Sequence, residues 1–213
     1  MNNVYISDHP LVKHKLSIAR DKDTRTPQFK KLLSEVTYFI GIEATRDLPL
    51  KKVTICTPVM ETIAERLSGE TPFLVPIMRA GIVMIEPMQE LLPTSKVGFI
   101  GLFRKEDSLF EKVEVEKYYC KLPEDGSNRS AIVLDPMLAT GVSGSMAITV
   151  LKEAGVKNIK FVCIVACPVG IEKITKDHPN VKIFCAALDE GLNEYNYIVP
   201  GLGDAGDRIY GTK

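Results

Sequence analysis

The sequence predicts an α/β fold whose sheet is mainly parallel and flanked by helices. Short apolar runs typical of buried strands recur at regular intervals, at residues 73–77, 97–103, 131–134, 161–166 and 181–187. Stretches with apolar residues at helical spacing separate them, at residues 81–92, 146–154 and 169–177. Strands that alternate with helices pair in parallel, because each helix carries the chain back to the edge where the next strand begins.

The size, charge and cysteine content of the chain limit its organisation and its partners. Its 213 residues, 45% of them hydrophobic, suffice for one domain over residues 1–213. Lysine plus arginine and aspartate plus glutamate number 27 each, which gives no sign of binding to nucleic acid or to an anionic membrane. Without an apolar run for a membrane helix or a signal peptide, and with five scattered cysteines, we expect a cytoplasmic protein with reduced thiols and no zinc site.

Two helices are expected before the first strand of the alternating pattern. A Thr-Pro pair at residues 26–27 is a typical helix start, and apolar residues up to Ile40 keep helical spacing after it. A second Thr-Pro pair at residues 57–58 is also followed by apolar residues at helical spacing, with Gly69 as the stop.

The stretch 131–145, AIVLDPMLATGVSGS, is the leading candidate for a binding site. Its four apolar residues predict a strand that ends at Asp135 and Pro136. Small and hydroxyl residues at 140–145 then precede a helix that we expect to begin near Met146. The unpaired N–H groups and the positive dipole end of such a helix suit a phosphate, although an ordinary capped helix explains the same residues.

Two further loops follow predicted strands and carry an arginine. VPIMRAG, residues 75–81, contains Arg79, and GLFRKE, residues 101–106, contains Arg104. Ligands of parallel sheets bind outside the carboxyl ends of the strands, so both loops should meet the first stretch there. Two cationic loops beside one phosphate cradle indicate a ligand with more than one phosphate group, and the alternative for Arg79 is a surface ion pair.

A charged, turn-rich insertion at residues 104–129 interrupts the alternation of strands and helices. Its apolar residues favour extended structure, and residues 123–128 favour a polar turn. Two interpretations stay open, namely a solvated hairpin and a mobile arm or lid with its root at Arg104, Lys105 and Glu106.

The tail, residues 195–213, is too rich in hydrophobic residues and glycine for a frayed terminus. Gly201, Gly203 and Gly206 would expose backbone donors and acceptors that can bind the edge of a flat heterocycle. The alternative is a structural glycine turn.

Four of these strings together resemble the uracil phosphoribosyltransferases, a subgroup of the type I phosphoribosyltransferases. They are VPIMRAG, GLFRKE, DPMLATGVS and YIVPGLGDAGDR, and the resemblance covers nearly the whole chain, including residues 7–16 and 43–48. Most type I members have two acids where this sequence has Asp135 and Pro136, a change that the uracil subgroup shares, and many have a glycine where it has Val142. The family implies the fold predicted above, with a hood formed by the terminal segments and an inserted β-hairpin arm.

The resemblance implies an enzyme that transfers ribose 5-phosphate from 5-phosphoribosyl 1-diphosphate (PRPP) to N1 of uracil. The products are UMP and diphosphate, a reaction of pyrimidine salvage. Mg²⁺ would arrive with PRPP rather than in a dedicated protein site. The family also implies a homodimer or larger homo-oligomer, and GTP is an allosteric effector in parts of it.

The resemblance also assigns roles by matching motif. Residues 139–143 would hold the 5′-phosphate, Asp135 would lie near the ribose hydroxyls, and Arg79 and Arg104 would face the diphosphate. Asp204 would lie near the ribose or the Mg²⁺-diphosphate end, and it is the candidate base for the uracil N1 proton.

The implied catalytic residues are Arg79, Arg104, Asp135 and Asp204. The implied PRPP site comprises Arg79, Arg104, Asp135, Pro136, Met137, Leu138, Ala139, Thr140, Gly141, Val142, Ser143 and Asp204. The implied uracil site comprises Tyr197, Ile198, Gly203, Asp204 and Ala205.

Three rival functions have weaker support. The string GVSGS suggests a serine hydrolase, but the nucleophile elbow needs glycine where Ser145 stands, and only His178 follows it. A P-loop kinase would need a lysine beside the serine or threonine, which this string lacks. An RNA-binding regulator built on the phosphoribosyltransferase fold would need a basic face, which the neutral net charge disfavours.

Overall fold

The computed structural model of the protein describes residues 3–104 and 115–212, so the predicted lid residues Lys105 and Glu106 lie outside it. Its strands are β1 (Val4–Ile6), β2 (Leu50–Cys56), β3 (Glu61–Leu67), β4 (Phe73–Met78), β5 (Phe99–Arg104), β6 (Val115–Lys121), β7 (Ala131–Leu134), β8 (Met137–Leu138), β9 (Ile159–Ala166), β10 (Lys182–Leu188), β11 (Gly191–Leu192) and β12 (Ile198–Val199). Its α-helices are α1 (Pro10–Arg20), α2 (Thr26–Thr45), α3 (Ile85–Leu91), α4 (Val142–Glu153), α5 (Pro168–Asp177) and α6 (Ala205–Tyr210). Two 3₁₀ turns span Ala80–Met84 and Gly126–Asn128.

The central sheet confirms the predicted α/β class. Its strands follow the order β1-β10-β9-β7-β4-β5-β6, and β8 extends the pairing with β9 beyond the end of β7. These pairs are parallel, except that β6 runs antiparallel to β5. The sheet is therefore mainly parallel, with an antiparallel strand at one edge.

Both faces of the sheet are buried, which explains why its strands are continuous apolar runs. Successive residues of a strand point to opposite faces, so Leu74 packs in the cluster that contains α1, α2 and α3, and Val75 packs in the cluster that contains α4 and α5. Helices therefore cover the sheet on both sides.

The strand order reverses between β4 and β7, which lie side by side with Val75 opposite Val133. From β4 the chain continues to β5 on one side, whereas from β7 it continues to β9 on the other side. The loops that leave these two strands diverge, and such a switch point opens a crevice at the carboxyl edge of a parallel sheet.

The expected helix after residues 57–58 is wrong, because residues 50–67 form the antiparallel hairpin of β2 and β3. Thr57 lies at its tip, where the hydroxyl accepts hydrogen bonds from the backbone N–H groups of Val59 at 3.2 Å and Met60 at 3.1 Å. The threonine thus caps a turn with the same chemistry that would cap a helix. The β-branched residues of both strands favour the extended conformation.

The start of α4 differs from the prediction, whereas the start of α2 agrees with it. Helix α4 begins at Val142 rather than near Met146, because Gly141 adopts a left-handed conformation with φ 78° and turns the chain into the helix. Helix α2 begins at Thr26 itself and continues to Thr45. The short elements β1, α1 and α6 were not predicted.

The two terminal segments form the predicted hood beside the carboxyl edge of the sheet. Helix α1 meets the tail where Arg20 donates a 2.7 Å hydrogen bond to the Gly201 carbonyl. Helix α6 packs on α2, and the guanidinium of Arg208 lies 4.0 Å from the ring centre of Phe29. Among the helices of the described residues, none has the length and apolar content that crossing a membrane requires.

Candidate active site

A cavity of about 420 Å³ opens at the switch point of the sheet. Four parts of the chain line it. They are the end of β4 with Arg79, the β5–β6 pair at residues 102, 103 and 118, the segment from β7 into α4 at Asp135 and Ser143, and the tail at residues 196–198 and 203–206. The cavity thus joins the phosphate stretch, parts of both cationic loops and the tail, which lie far apart in the sequence.

A larger cavity, about 650 Å³, lies between the edge strand β1 and α2. Tyr5, His9, Arg46 and Lys182 are among its lining residues, and none of the predicted PRPP or uracil residues in the described part of the chain lines it. We therefore assign the candidate active site to the smaller cavity, where the loops at the carboxyl ends of the strands meet.

The loop before α4 brings the N-terminus of a helix to the cavity wall. Gly141 carries the left-handed turn, and a Cβ atom there would lie 2.8 Å from the Gly170 carbonyl oxygen. Val142 is the first residue of the helix, so it needs no left-handed conformation. Ser143 lies in the first turn and lines the cavity. The N–H groups of this turn have no partner within the helix, which makes them available to an anion.

The predicted PRPP residues fall into two groups. Some line the cavity, and the others belong to the main chain that pairs with the sheet or leads into α4. Within the described part of the chain, the predicted PRPP residues on the cavity wall are Arg79, Asp135, Met137, Ala139, Ser143 and Asp204. Pro136 and Leu138 serve the sheet, since the Pro136 carbonyl accepts from the N–H groups of Ile164 and Val165 at 3.0 Å and the Leu138 carbonyl accepts from Cys167 at 3.2 Å. Thr140, Gly141 and Val142 carry the chain from there into α4.

Among the described residues, Arg79 is the cation on the cavity wall. Its Nη2 lies 3.6 Å from a carboxylate oxygen of Asp207, and its carbonyl accepts a 3.0 Å hydrogen bond from the Tyr210 hydroxyl. Burial raises the pKa of Tyr210, which keeps this hydroxyl protonated as a donor. Helix α6 therefore contacts both the main chain and the side chain of Arg79.

The antiparallel pair of β5 and β6 supplies aromatic residues that sequence reasoning did not assign to the site. Phe103 and Tyr118 line the cavity with ring centres 6.1 Å apart. The Tyr118 ring lies over Gly101, where a Cβ atom would be 2.5 Å from it. This contact depends on the register of β5 and β6, which shifts after Gly101, so the sequence offered no signal for it. The role of Arg104 stays a prediction, because its side chain lies outside the described residues.

The tail lines the cavity with residues 196–198 and 203–206. The predicted uracil residues Tyr197, Ile198, Gly203, Asp204 and Ala205 all line the cavity. Asn196 lines it too and has a positive φ of 61°, a conformation that asparagine tolerates better than most residues. Asn196 lies within the tail identified from the sequence, residues 195–213, although no glycine adjoins it. Gly203 has a φ of 70°, which points to a tight turn at the cavity wall.

Two carboxylates, Asp135 and Asp204, line the same cavity. Mg²⁺ is usually bound by one or two carboxylates together with substrate phosphates, so this pair fits an ion that arrives on PRPP. Within residues 3–104 and 115–212 there is no group of three or more metal-ligating side chains. That Mg²⁺ has no dedicated protein site stays a prediction.

The structure brings Ser145 and His178 together, but not as a serine hydrolase needs them. Ser145 is buried inside α4, and its hydroxyl donates to Asp177 at 2.6 Å. His178 has Nδ1 at 3.1 Å from the Lys152 ammonium, a pure donor, so Nε2 carries the proton and donates it to the Ser145 carbonyl at 3.0 Å. Burial lowers the pKa of His178, which keeps the ring neutral. The ring cannot take the serine proton, and the cluster fastens α4 to α5.

Known proteins share both the sequence and the fold of this chain. A family model for uracil phosphoribosyltransferase matches residues 6–212. A uracil phosphoribosyltransferase of Brevibacillus brevis is 50% identical over 213 residues, which are 100% of both chains. The solved structure of the AQ2163 protein from Aquifex aeolicus has a TM-score of 0.90 at 36% identity and covers 99% of each chain.

A more distant enzyme shares the fold alone. The adenine phosphoribosyl transferase of Trypanosoma brucei, solved in complex with AMP, pyrophosphate and ribose-5-phosphate, has a TM-score of 0.56 at 13% identity. The match covers 89% of this chain and 84% of that one. The family model and the full-length relative confirm the resemblance read from the motifs, and the chain belongs to the uracil phosphoribosyltransferase family.

Proposed function

We propose that this protein transfers ribose 5-phosphate from PRPP to N1 of uracil and releases UMP and diphosphate. The observation that carries the proposal is the meeting of three features on one cavity, namely the N-terminus of α4, the cation of Arg79 and the tail at residues 196–198 and 203–206. Each feature suits one group of the two substrates, namely the 5′-phosphate, the diphosphate and the base, in that order.

The 5′-phosphate is assigned to the first turn of α4. Its free N–H groups and the positive end of the helix dipole favour a dianion. Ser143 adds a hydroxyl donor on the cavity wall. Asp135, at the end of β7, lies at the start of the same loop and is assigned to the ribose hydroxyls.

The diphosphate is assigned to the Arg79 side. As the bond from C1 of the ribose to the diphosphate breaks, positive charge develops on the ribose and negative charge on the leaving group. A guanidinium beside the departing oxygens stabilises that negative charge more in the transition state than in the ground state. Mg²⁺ bound to PRPP supplies further neutralisation of the diphosphate when present, and Asp135 and Asp204 are the residues that would contact it.

The uracil base is assigned to the tail. Uracil offers N3–H as a donor and O4 as an acceptor, and the main chain at Ile198 and Gly203 can present the complementary pair. Cytosine reverses both groups, and each buried group left without a partner costs about 1–3 kcal/mol. Two reversals give a preference of about 10² to 10⁴-fold for uracil. Ala205 leaves room for the ring on the cavity wall.

The N1 proton of uracil must leave as the new bond to C1 forms. Asp204 lines the cavity, and its Oδ1 accepts a 2.9 Å hydrogen bond from the Asp207 N–H at the start of α6. This hydrogen bond fixes the carboxylate, so Oδ2 is the atom that we assign to the proton.

The base panel is the experiment that tests this function. Purified protein with PRPP, Mg²⁺ and uracil should form UMP, and cytosine should react with a kcat/KM that is about 10² to 10⁴-fold lower. Hypoxanthine and orotate should give no nucleotide. Removal of Mg²⁺ with EDTA should stop the uracil reaction, and its return should restore the rate. Absence of UMP from uracil with the folded protein would overturn the proposal.

We also propose that the enzyme works in the cytoplasm as a homodimer or larger homo-oligomer. The hairpin of β2 and β3 exposes apolar side chains that a second copy could cover, with Val59 90%, Ile63 69% and Met60 66% exposed. All five cysteines are free thiols, as a reducing compartment would keep them.

Sedimentation velocity should show a species of at least two chains for the native protein. The variant Met60→Glu/Ile63→Glu places charges on the exposed hairpin and should shift the protein toward the monomer. A native protein that sediments as one chain would contradict the oligomer. GTP, the effector that the family resemblance implies, is added in a parallel run and to the base panel.

A further inference from the structure

The tail segment between β12 and α6, residues 200–204, contains two glycines in the left-handed conformation. Gly201 and Gly203 have φ of 64° and 70°, and glycine moves between backbone conformations more freely than any other residue. On one side the segment adjoins β12, which pairs with β11 over only two residues, and on the other side it adjoins α6, which begins at Ala205. Recognition by backbone groups requires that each peptide plane keep its N–H and its carbonyl pointing in fixed directions.

Side chains from outside the cavity fasten this segment. The Gly201 N–H donates to Asp189 Oδ2 at 2.8 Å, and the Gly201 carbonyl accepts from Arg20 Nη1 at 2.7 Å. The next carbonyl, that of Leu202, accepts from Arg208 Nη1 at 2.9 Å. The N–H and the carbonyl of Gly201 therefore both have hydrogen-bond partners, and so does the carbonyl of Leu202, which precedes Gly203.

Arg20 and Asp189 also hold each other. The two guanidinium nitrogens of Arg20 lie 2.8 and 2.6 Å from the two carboxylate oxygens of Asp189, a bidentate ion pair. The Asp189 side chain is 5% exposed, and its backbone N–H donates to Ala166 at the end of β9 at 2.8 Å. The pair is thus attached both to α1 and to the central sheet, which makes it a rigid support.

Neither residue of the pair is among the described residues that line the cavity. Arg20 is the last residue of α1, Asp189 follows β10, and both contact the tail at the Gly201 backbone. Their influence on the reaction must pass through the Gly201 backbone.

We infer that the Arg20–Asp189 ion pair is a positioning pair that fixes the tail backbone for base recognition and thereby sets the preference for uracil over cytosine. The inference rests on the proposed assignment of the base to the tail. Without the pair, the glycine segment can rotate its peptide planes and present the opposite polarity to the base. Uracil then loses binding, and cytosine is excluded less strictly.

Two conservative variants test the inference. Arg20→Lys keeps the charge but loses the planar fork that contacts Asp189 and Gly201 at once. Asp189→Asn keeps the shape but removes the charge that Arg20 pairs with. In each variant the KM for uracil should rise about tenfold and the uracil-to-cytosine ratio of kcat/KM should fall about tenfold, whereas the KM for PRPP should stay within about twofold.

The matched control is Lys15→Gln. Lys15 lies on the same helix, α1, and forms a 2.6 Å ion pair with Glu35 of α2, so its loss tests the general effect of weakening this helix. The control should leave both KM values and the base preference within about twofold of the native values. If Arg20→Lys fails to fold, the same comparison of KM values and base preference between Asp189→Asn and the control tests the inference.

Amide hydrogen exchange of the peptide that contains Gly201 separates a failure of this inference from a failure of the proposed function. Exchange there should be about tenfold faster in the folded variants than in the native protein or the control. Unchanged exchange would overturn the inference whatever the activity, and so would equal rises in the KM for uracil and for PRPP. Faster exchange in variants of a protein that makes no UMP would refute the function but leave the support of the tail by this pair intact.

Discussion

Replacing Arg79 with alanine should lower kcat/KM for PRPP by about 10²–10³-fold, the usual effect of removing one group that stabilises transition-state charge. The loss should fall on turnover with PRPP, because the guanidinium is assigned to the departing diphosphate. The protein should stay folded. The Arg79 side chain is 58% exposed and its ion pair with Asp207 is 3.6 Å long, so the free energy of unfolding should change by less than about 1 kcal/mol.

Initial rates of UMP formation at varied PRPP, with a thermal melt of each protein, measure this prediction. Arg46→Ala is the matched control, because Arg46 is an exposed arginine that pairs with Glu43 at 2.7 Å outside the candidate active site. The control should keep the native kcat/KM. An Arg79→Ala protein that melts normally and turns over at the native rate would remove Arg79 from the site.

Gly141→Ala should raise the KM for PRPP by about tenfold to 100-fold and destabilise the protein by about 1–3 kcal/mol. Alanine is strained at the φ of 78° that Gly141 adopts, and its Cβ would lie 2.8 Å from both the Gly170 carbonyl oxygen and Lys173 Cβ. Relief of that contact moves the first turn of α4, where the N–H groups of the phosphate site lie. Urea unfolding and PRPP kinetics measure the two effects.

Gly155→Ala, at the other end of the same helix, is the control that separates the effect of backbone strain from the effect on phosphate binding. Gly155 also has a positive φ, 85°, directly beyond the end of α4, and a Cβ there would lie 3.2 Å from the Ser127 side chain. This variant should lose about 1–2 kcal/mol of stability while keeping the native KM for PRPP. Equal rises in that KM for the two variants would show that general strain, not the phosphate turn, is responsible.

The sheet could be predicted from the sequence because burial on both faces gives each parallel strand a continuous apolar run. Local signals failed where two structures use the same chemistry. The hydroxyl of Thr57 caps a hairpin turn, yet a threonine before a proline is equally the start of a helix, as at Thr26. The difference lies in how the following residues pair with residues 50–56, which no short window contains.

Some residues of the candidate site could likewise be predicted from the sequence, and others could not. Residues at a strand end or in a glycine-containing loop, such as Asp135, Gly141 and Gly203, could be identified from the local sequence. Tyr118 reaches the cavity through the register of two strands, and the contacts of Asp189 with Arg20 and Gly201 join distant parts of the chain. Such contacts depend on the folded topology.

A crystal structure of the protein with UMP bound would test the assignment of both substrates to one cavity most directly. The phosphate should lie against the backbone N–H groups of residues 140–143, and the edge of the uracil ring should face the main chain of Ile198 and Gly203. The Asp135 carboxylate should lie beside the ribose hydroxyls. A UMP molecule whose phosphate lies away from the N-terminus of α4, or whose base does not touch the tail, would contradict the account.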